Sequence, residues 1–204
     1  SFIDLSTGVA DWRIADHLPT QSPSCGKAVH IDMQAACDRI TQNNLGGAGP
    51  STGAEELRYS NAGTHDGRPF DLVIQSTSSY ARGNDESGCK AKAFGKIALR
   101  RSQEASFIAS FQDSDTKEPV TLPAFWFTFF DIDAGCHADW KEQIQVVGST
   151  RYLVEPGSYL DAPSTEEKDG WFQASKRWCP RGGAAGDNPT DPMALTIVQK
   201  RLSV

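Results

Sequence analysis

Two carboxylates two residues apart, Asp131 and Asp133, close the aromatic run Phe125-Trp126-Phe127-Thr128-Phe129-Phe130-Asp131-Ile132-Asp133. In a strand, alternate side chains share a face, so Phe125, Phe127, Phe129, Asp131 and Asp133 are expected on one side, as an aromatic face ending in two acids. Paired carboxylates suit Ca2+, a hard cation that takes several oxygen ligands at once, and Asp113, Asp115 and Glu142 complete a candidate set from neighbouring turns. Asp113-Ser114-Asp115 opens like an EF-hand loop. Lys117 and Glu118 stand where a further acid or amide and the obligatory glycine belong, so an EF-hand is excluded. Strand-end acids also cap turns, and that structural role competes with the metal. Used as general acid and base, the same pair would serve glycoside cleavage, because side chains i and i+2 on a strand sit roughly 7 Å apart, within the inverting range. Acidic strand ends are commonplace, and the structural role is the expectation there.

Other chemistry is thinly represented. His137 beside Cys136 suggests a thiol activated by imidazole, but adjacent residues of a strand point to opposite faces. The chain has no Gly-x-Ser-x-Gly elbow, no phosphate-binding loop and no His-Glu-x-x-His, so no enzyme class is signalled and a non-catalytic role is expected. Trp12, Trp140, Trp171, Trp178 and Tyr159 suit either sugar stacking or anchoring of a protein interface. Trp171-Phe172 and Trp178 lie in a polar, turn-rich stretch, which makes them surface candidates, for an interface ahead of a glycan.

Five cysteines, Cys25, Cys37, Cys89, Cys136 and Cys179, are widely spaced, with no Cys-x-x-Cys to hold zinc. Scattered cysteines in a loop-rich chain point to disulfides and an oxidising compartment. Cys25 and Cys37 bracket a short segment and form the expected bridge, leaving Cys89, Cys136 and Cys179 to supply one further pair and one odd thiol in an undetermined combination. Asn188-Pro189-Thr190 fails as a glycan acceptor because proline occupies its middle position, so a glycan-free lumen fits better than a glycan-coated exterior.

The elements that must position these residues are short. The chain has 204 residues, net charge -6, 18 Gly and 11 Pro, a composition that excludes coiled coil, collagen and disorder and gives no basic face for nucleic acid. No run of residues is apolar enough to cross a bilayer as a helix. Lys27–Thr41 carries Val29, Met33, Ala36, Cys37 and Ile40 at helical spacing, and Asn43–Glu56 is a turn-rich loop. From Leu57 the period changes to two. Leu57–Ala62, Phe70–Gln75, Phe94–Arg100, Ala105–Gln112, Ala124–Asp133, Glu142–Val147 and Arg151–Val154 read as strands, with turns at Asp66–Pro69 and Asp113–Pro119. The expected fold is mainly β: a two-sheet antiparallel, jelly-roll-like sandwich over 57–204, preceded by an arm over 1–56 with one short helix. Arg181–Pro192 holds no regular structure, and Ala194–Val204 is a last strand or short helix.

Leu57-Arg-Tyr-Ser-Asn-Ala-Gly63, Asp66-Gly-Arg-Pro-Phe-Asp-Leu-Val-Ile74, Gly95-Lys-Ile97, Phe111-Gln-Asp113, Pro119-Val-Thr-Leu-Pro-Ala-Phe125, Phe127–Asp133 and Asp187-Asn-Pro-Thr-Asp-Pro-Met-Ala-Leu195 together resemble a β-sandwich module of secreted or lumenal proteins of marine microalgae, dinoflagellates in particular, and of some marine bacteria. The resemblance implies a jelly-roll-like fold and an oxygen-lined acidic strand end, and brings no activity with it. The resulting expectation is an accessory or scaffolding protein that binds a protein partner or larger assembly. It would work secreted or in an oxidising organelle lumen, the thylakoid lumen being one candidate. The alternative is a Ca2+-dependent carbohydrate-binding module, with glycoside cleavage a remoter version of it.

Overall fold

The structure, a computed structural model, describes residues 2–6, 9–14, 28–134, 141–163, 170–175 and 188–204. Its strands are β1 (Phe2–Ser6), β2 (Val9–Ile14), β3 (Ile40–Asn43), β4 (Glu56–His65), β5 (Arg68–Ser76), β6 (Gly88–Lys90), β7 (Phe94–Ala98), β8 (Glu104–Asp113), β9 (Thr128–Phe130), β10 (Gln143–Val147), β11 (Leu160–Asp161) and β12 (Trp171–Ala174), with short helices α1 (Met33–Cys37) and α2 (Ile197–Arg201). They form two sheets, one in the order β6-β7-β1-β9 and one in the order β11-β12-β10-β2-β8-β5-β4-β3. The mainly β, two-sheet architecture with little helix is the one the strand pattern predicts.

The strands form where period-2 patterns meet suitable turns. In β8, Ala105, Phe107, Ala109 and Phe111 are buried and alternate with half-buried neighbours. The β4–β5 hairpin closes on Asp66 and Gly67, with φ of 48° and 77°, the pair of positive values that a type I′ turn requires and that Asp-Gly supplies readily. At Gly63 a side chain would fall 2.5 Å from both the His30 carbonyl oxygen and the Phe70 ring, so only glycine lets β4 pass there. Between Tyr59 and Gly63 the pairing with β5 shifts register, and Asn61 takes φ of 50° in the bulge.

Several expectations are corrected. The first two strands are built into the sheets: β1 lies between β7 and β9, and β2 between β10 and β8, each parallel to both neighbours. They supply backbone partners on both edges and add parallel pairs to otherwise antiparallel sheets. The helix expected over Lys27–Thr41 is the single turn α1, capped by Asp32, whose Oδ1 accepts the Ala35 N–H at 3.0 Å. The chain from Ile40 is drawn instead into β3 beside β4. Asp71 and Val73, which alternation assigns to an open face of β5, are both buried. Arg151–Val154, expected as a strand, pairs in neither sheet, and the ending Ile197–Arg201 is helical, with a reciprocal cap between Thr196 and Gln199.

The core lies between the sheets. Leu57, Tyr59, Leu72, Ile74, Phe107 and Phe111 of the larger sheet share one apolar cluster with Ile97 and Phe129 of the smaller. On the other side of the smaller sheet, Phe94 and Phe130 meet edge to face at 5.5 Å and are covered by Leu195. Each such buried ring contributes about 1.5–3 kcal/mol relative to exposure. The disulfide joins Cys37 to Cys89, tying α1 to β6 across a sequence separation of 52. The expected Cys25–Cys37 bridge is therefore wrong: Cys37 is already paired through space with a cysteine distant in sequence. Cys25, Cys136 and Cys179 lie outside the described residues.

Candidate functional site

A cleft forms where two stretches leave the sheets. After β8 the chain turns at Asp113–Lys117 and returns through an isolated bridge between Gln112 and Pro119. Pro123 has no N–H to donate, and residues 121–127 run outside the ladder, held by a 2.7 Å bond from Val29 N–H to the Ala124 carbonyl. On the facing side β10 ends at Val147, Gly148 turns with φ of 83°, and 149–155 continue without sheet partners. Val204 exchanges backbone hydrogen bonds with Phe129, at 2.8 and 3.1 Å, and closes one end.

The space enclosed is about 370 Å³. Its floor is made by the buried Leu122, Phe129 and Phe172, and its walls by the half-buried Phe125, Trp126, Phe127, Val146 and Tyr152. At the rim stand Arg151, Leu153 and Lys200, with Leu153 70% exposed. The rings are locked edge to face: Phe111 with Phe125 at 4.9 Å, Phe125 with Phe127 at 5.2 Å, and Tyr152 with Phe172 at 5.1 Å. The Tyr152 hydroxyl donates to the Pro163 carbonyl at 2.5 Å, which fixes its ring as a wall. Such a surface gains by releasing water to an apolar guest and offers both ring faces and ring edges to it.

The predicted carboxylates fall in two places. Asp113 caps its own turn, its Oδ1 accepting the N–H groups of Asp115 and Thr116, both at 2.9 Å. Those amides, Thr116 first, hold its carboxyl below the ordinary aspartate value. Asp115 is exposed on the same turn. Asp131, Asp133 and Glu142 are buried elsewhere, beyond β9 and before β10. Glu142 Oε2 accepts the Asp133 N–H at 3.2 Å, and the Glu142 N–H returns to the Asp133 carbonyl at 2.8 Å, beside the bridge between Ala134 and Lys141. Among the described residues no three His, Cys, Asp or Glu side chains converge as a metal would require. The single strand expected over Ala124–Asp133 is also shorter: only Thr128–Phe130 is paired, at the edge of its sheet, and Asp131 takes φ of 65°, which breaks the alternation that would align it with the phenylalanines.

The predicted aromatics also divide. Phe172 lies in the cleft floor, and Trp171, the adjacent residue, is 39% exposed on the other face of β12. Tyr159 stacks under the Arg201 guanidinium at 5.7 Å and lies outside the cleft. Trp140 and Trp178 are outside the described residues, as is His137 beside Cys136.

A buried ionic network centres on Asp71, which the residue pattern did not single out. Asp71 is fully buried, and its Oδ2 receives Arg58 Nη1 and Lys117 Nζ, each at 2.9 Å. Its Oδ1 receives the Ser114 hydroxyl at 2.6 Å and the Asn61 N–H at 3.0 Å, while Arg58 also reaches Glu56 at 2.7 Å and Gln112 at 2.9 Å. Burial pushes the Asp71 carboxyl up, but the bonds from Ser114, Lys117, Arg58 and Asn61 outweigh it and hold the group below its ordinary value. The available signal was Asp71 itself, one acid inside the apolar run Phe70–Ile74. The network pins the β4 bulge and the turn after β8, from which the cleft wall departs. Compared with protein families, curated proteins and solved structures, the chain finds no match in any of the three.

Proposed function

We propose that this protein is a non-catalytic β-sandwich binding module, an accessory component that attaches to a partner or larger assembly in an oxidising secreted or lumenal compartment. The cleft of Phe125, Trp126, Phe127, Phe129, Tyr152 and Phe172 supports this reading: it is concave and aromatic, and its volume of about 370 Å³ suits insertion of an apolar group. The partner supplies that group, and rings already packed against one another lose little freedom on receiving it. The Cys37–Cys89 disulfide suits an oxidising setting. No helix among the described residues is long and apolar enough to cross a membrane.

The test is native mass spectrometry of the tagged chain after incubation with an extract of its source. The wild type is expected to carry added mass, and Ala124→Trp, which fills the cleft from its half-buried wall, is expected to run bare. A wild-type chain that stays a bare monomer would sink the accessory reading. A glycan array with and without chelator is expected to be silent. Chelator-sensitive binding there would replace this reading with the Ca2+-dependent carbohydrate module.

A further inference from the structure

We infer that the partner whose apolar group fills the cleft is itself a small amphiphile with an apolar body and an anionic head. This rests on the reading of the cleft as the binding site and adds the chemistry of its occupant. The volume, about 370 Å³, lies in the range of about 300–1,000 Å³ typical of small-molecule sites. Leu122, Phe129 and Phe172 at the floor are buried, whereas Arg151 and Lys200 at the rim are exposed.

Among the described residues neither Arg151 nor Lys200 enters an ion pair. Glu155, half-buried, is the one acidic side chain of the lining, against the two basic ones, in a chain whose net charge is -6. An unpaired charge resists entering an apolar floor, so the charged end of a guest stays at the water boundary, where the two cations stand. An apolar tail inward with a carboxylate, sulfate or phosphate at the mouth satisfies both levels of the cleft.

Three probes with the same seven-carbon alkyl chain test this: octanoate, heptan-1-ol and heptyltrimethylammonium, titrated into the isotopically labelled full chain at low salt while the amides of 122–129 and 148–155 are followed by NMR. Octanoate is expected to bind about ten-fold tighter than the ammonium homologue, with the alcohol between them, because two exposed cations attract one head group and repel the other. In the double variant Arg151→Gln, Lys200→Gln, both surface changes that leave the core intact, octanoate is expected to fall to the alcohol's affinity. Ala124→Trp is expected to abolish all three. Equal affinity for the three heads, or an unchanged preference in the double variant, would overturn the anionic head group and leave the cleft as a binding site. Failure of every probe to move these amides would overturn the cleft reading itself.

Discussion

Arg58 and Asp71 face each other across adjacent strands with Nη1 and Oδ2 2.9 Å apart, and the aspartate is wholly buried. Lys117 reaches the same oxygen from the turn after β8, so one carboxylate joins two strands and a loop. Removing it strands two cations. Asp71→Asn is expected to lower stability by roughly 3 kcal/mol, in line with breaking one side of a buried pair, while the paired replacement Asp71→Leu, Arg58→Met is expected to recover part of that loss, since Lys117, half-exposed, turns to solvent while Ser114 and the Asn61 N–H still lose their acceptor. Urea unfolding of the two variants measures it, and equal losses in both would show that the network acts through something other than charge pairing.

The same group sets an acid limit. Its pKa is lower in the folded chain than in the unfolded one, so its contribution is fully present above the unfolded value, near pH 4, and is lost as pH falls through the folded value. Asp113, held low by its turn amides, acts in the same direction. Melting temperatures between pH 7 and pH 2 should therefore fall mainly below about pH 4, and the Asp71→Asn curve should be flatter there. Parallel curves would contradict the assignment.

The Cys37–Cys89 bridge closes a loop of 52 residues in sequence, for which chain-entropy estimates give about 4 kcal/mol. A non-reduced peptide map should recover the Cys37 and Cys89 peptides joined, and Cys37→Ser, Cys89→Ser together should lower the melting point. Recovery of a Cys25–Cys37 peptide instead would refute the pairing.

Calcium removal should leave the wild-type melting temperature unchanged. Glu142 is already engaged with the Asp133 amide, and Asp113 with the amides of its own turn. Asp131→Asn should cost about 1 kcal/mol or less with or without chelator, since asparagine also tolerates the left-handed backbone at that position. A clear drop on chelation would reinstate a metal among these carboxylates.

Phe172→Ala should lower stability by about 3–5 kcal/mol, because it removes a buried ring that packs edge to face on Tyr152. Leu153→Ala, at an exposed position of the same cleft, should leave stability within about 0.5 kcal/mol of wild type. Thermal denaturation separates floor from rim, and a large loss at Leu153 would mean that the rim is part of the core.

The alternation in Ala105–Phe111 and the Asp66-Gly67 turn act within a few residues, so the mainly β character and the strands β4, β5, β7, β8 and β10 were legible in the order of residues alone, whereas β1, β2, β3, β6, β11 and β12 were not. The aromatic run at 125–129 was legible as important, and its place in a cleft wall was not. Four outcomes depended on pairing across long separations. β1 and β2 entered the sheet interiors, Cys37 met Cys89, Asp71 was buried among Arg58, Lys117 and Ser114, and the 122–129 and 148–155 segments came to enclose one space. Period-2 alternation states that a side chain alternates, but not what packs against the second face. Which side of β5 is open is decided by the elements that fold over it, and only the tertiary structure brings those elements there.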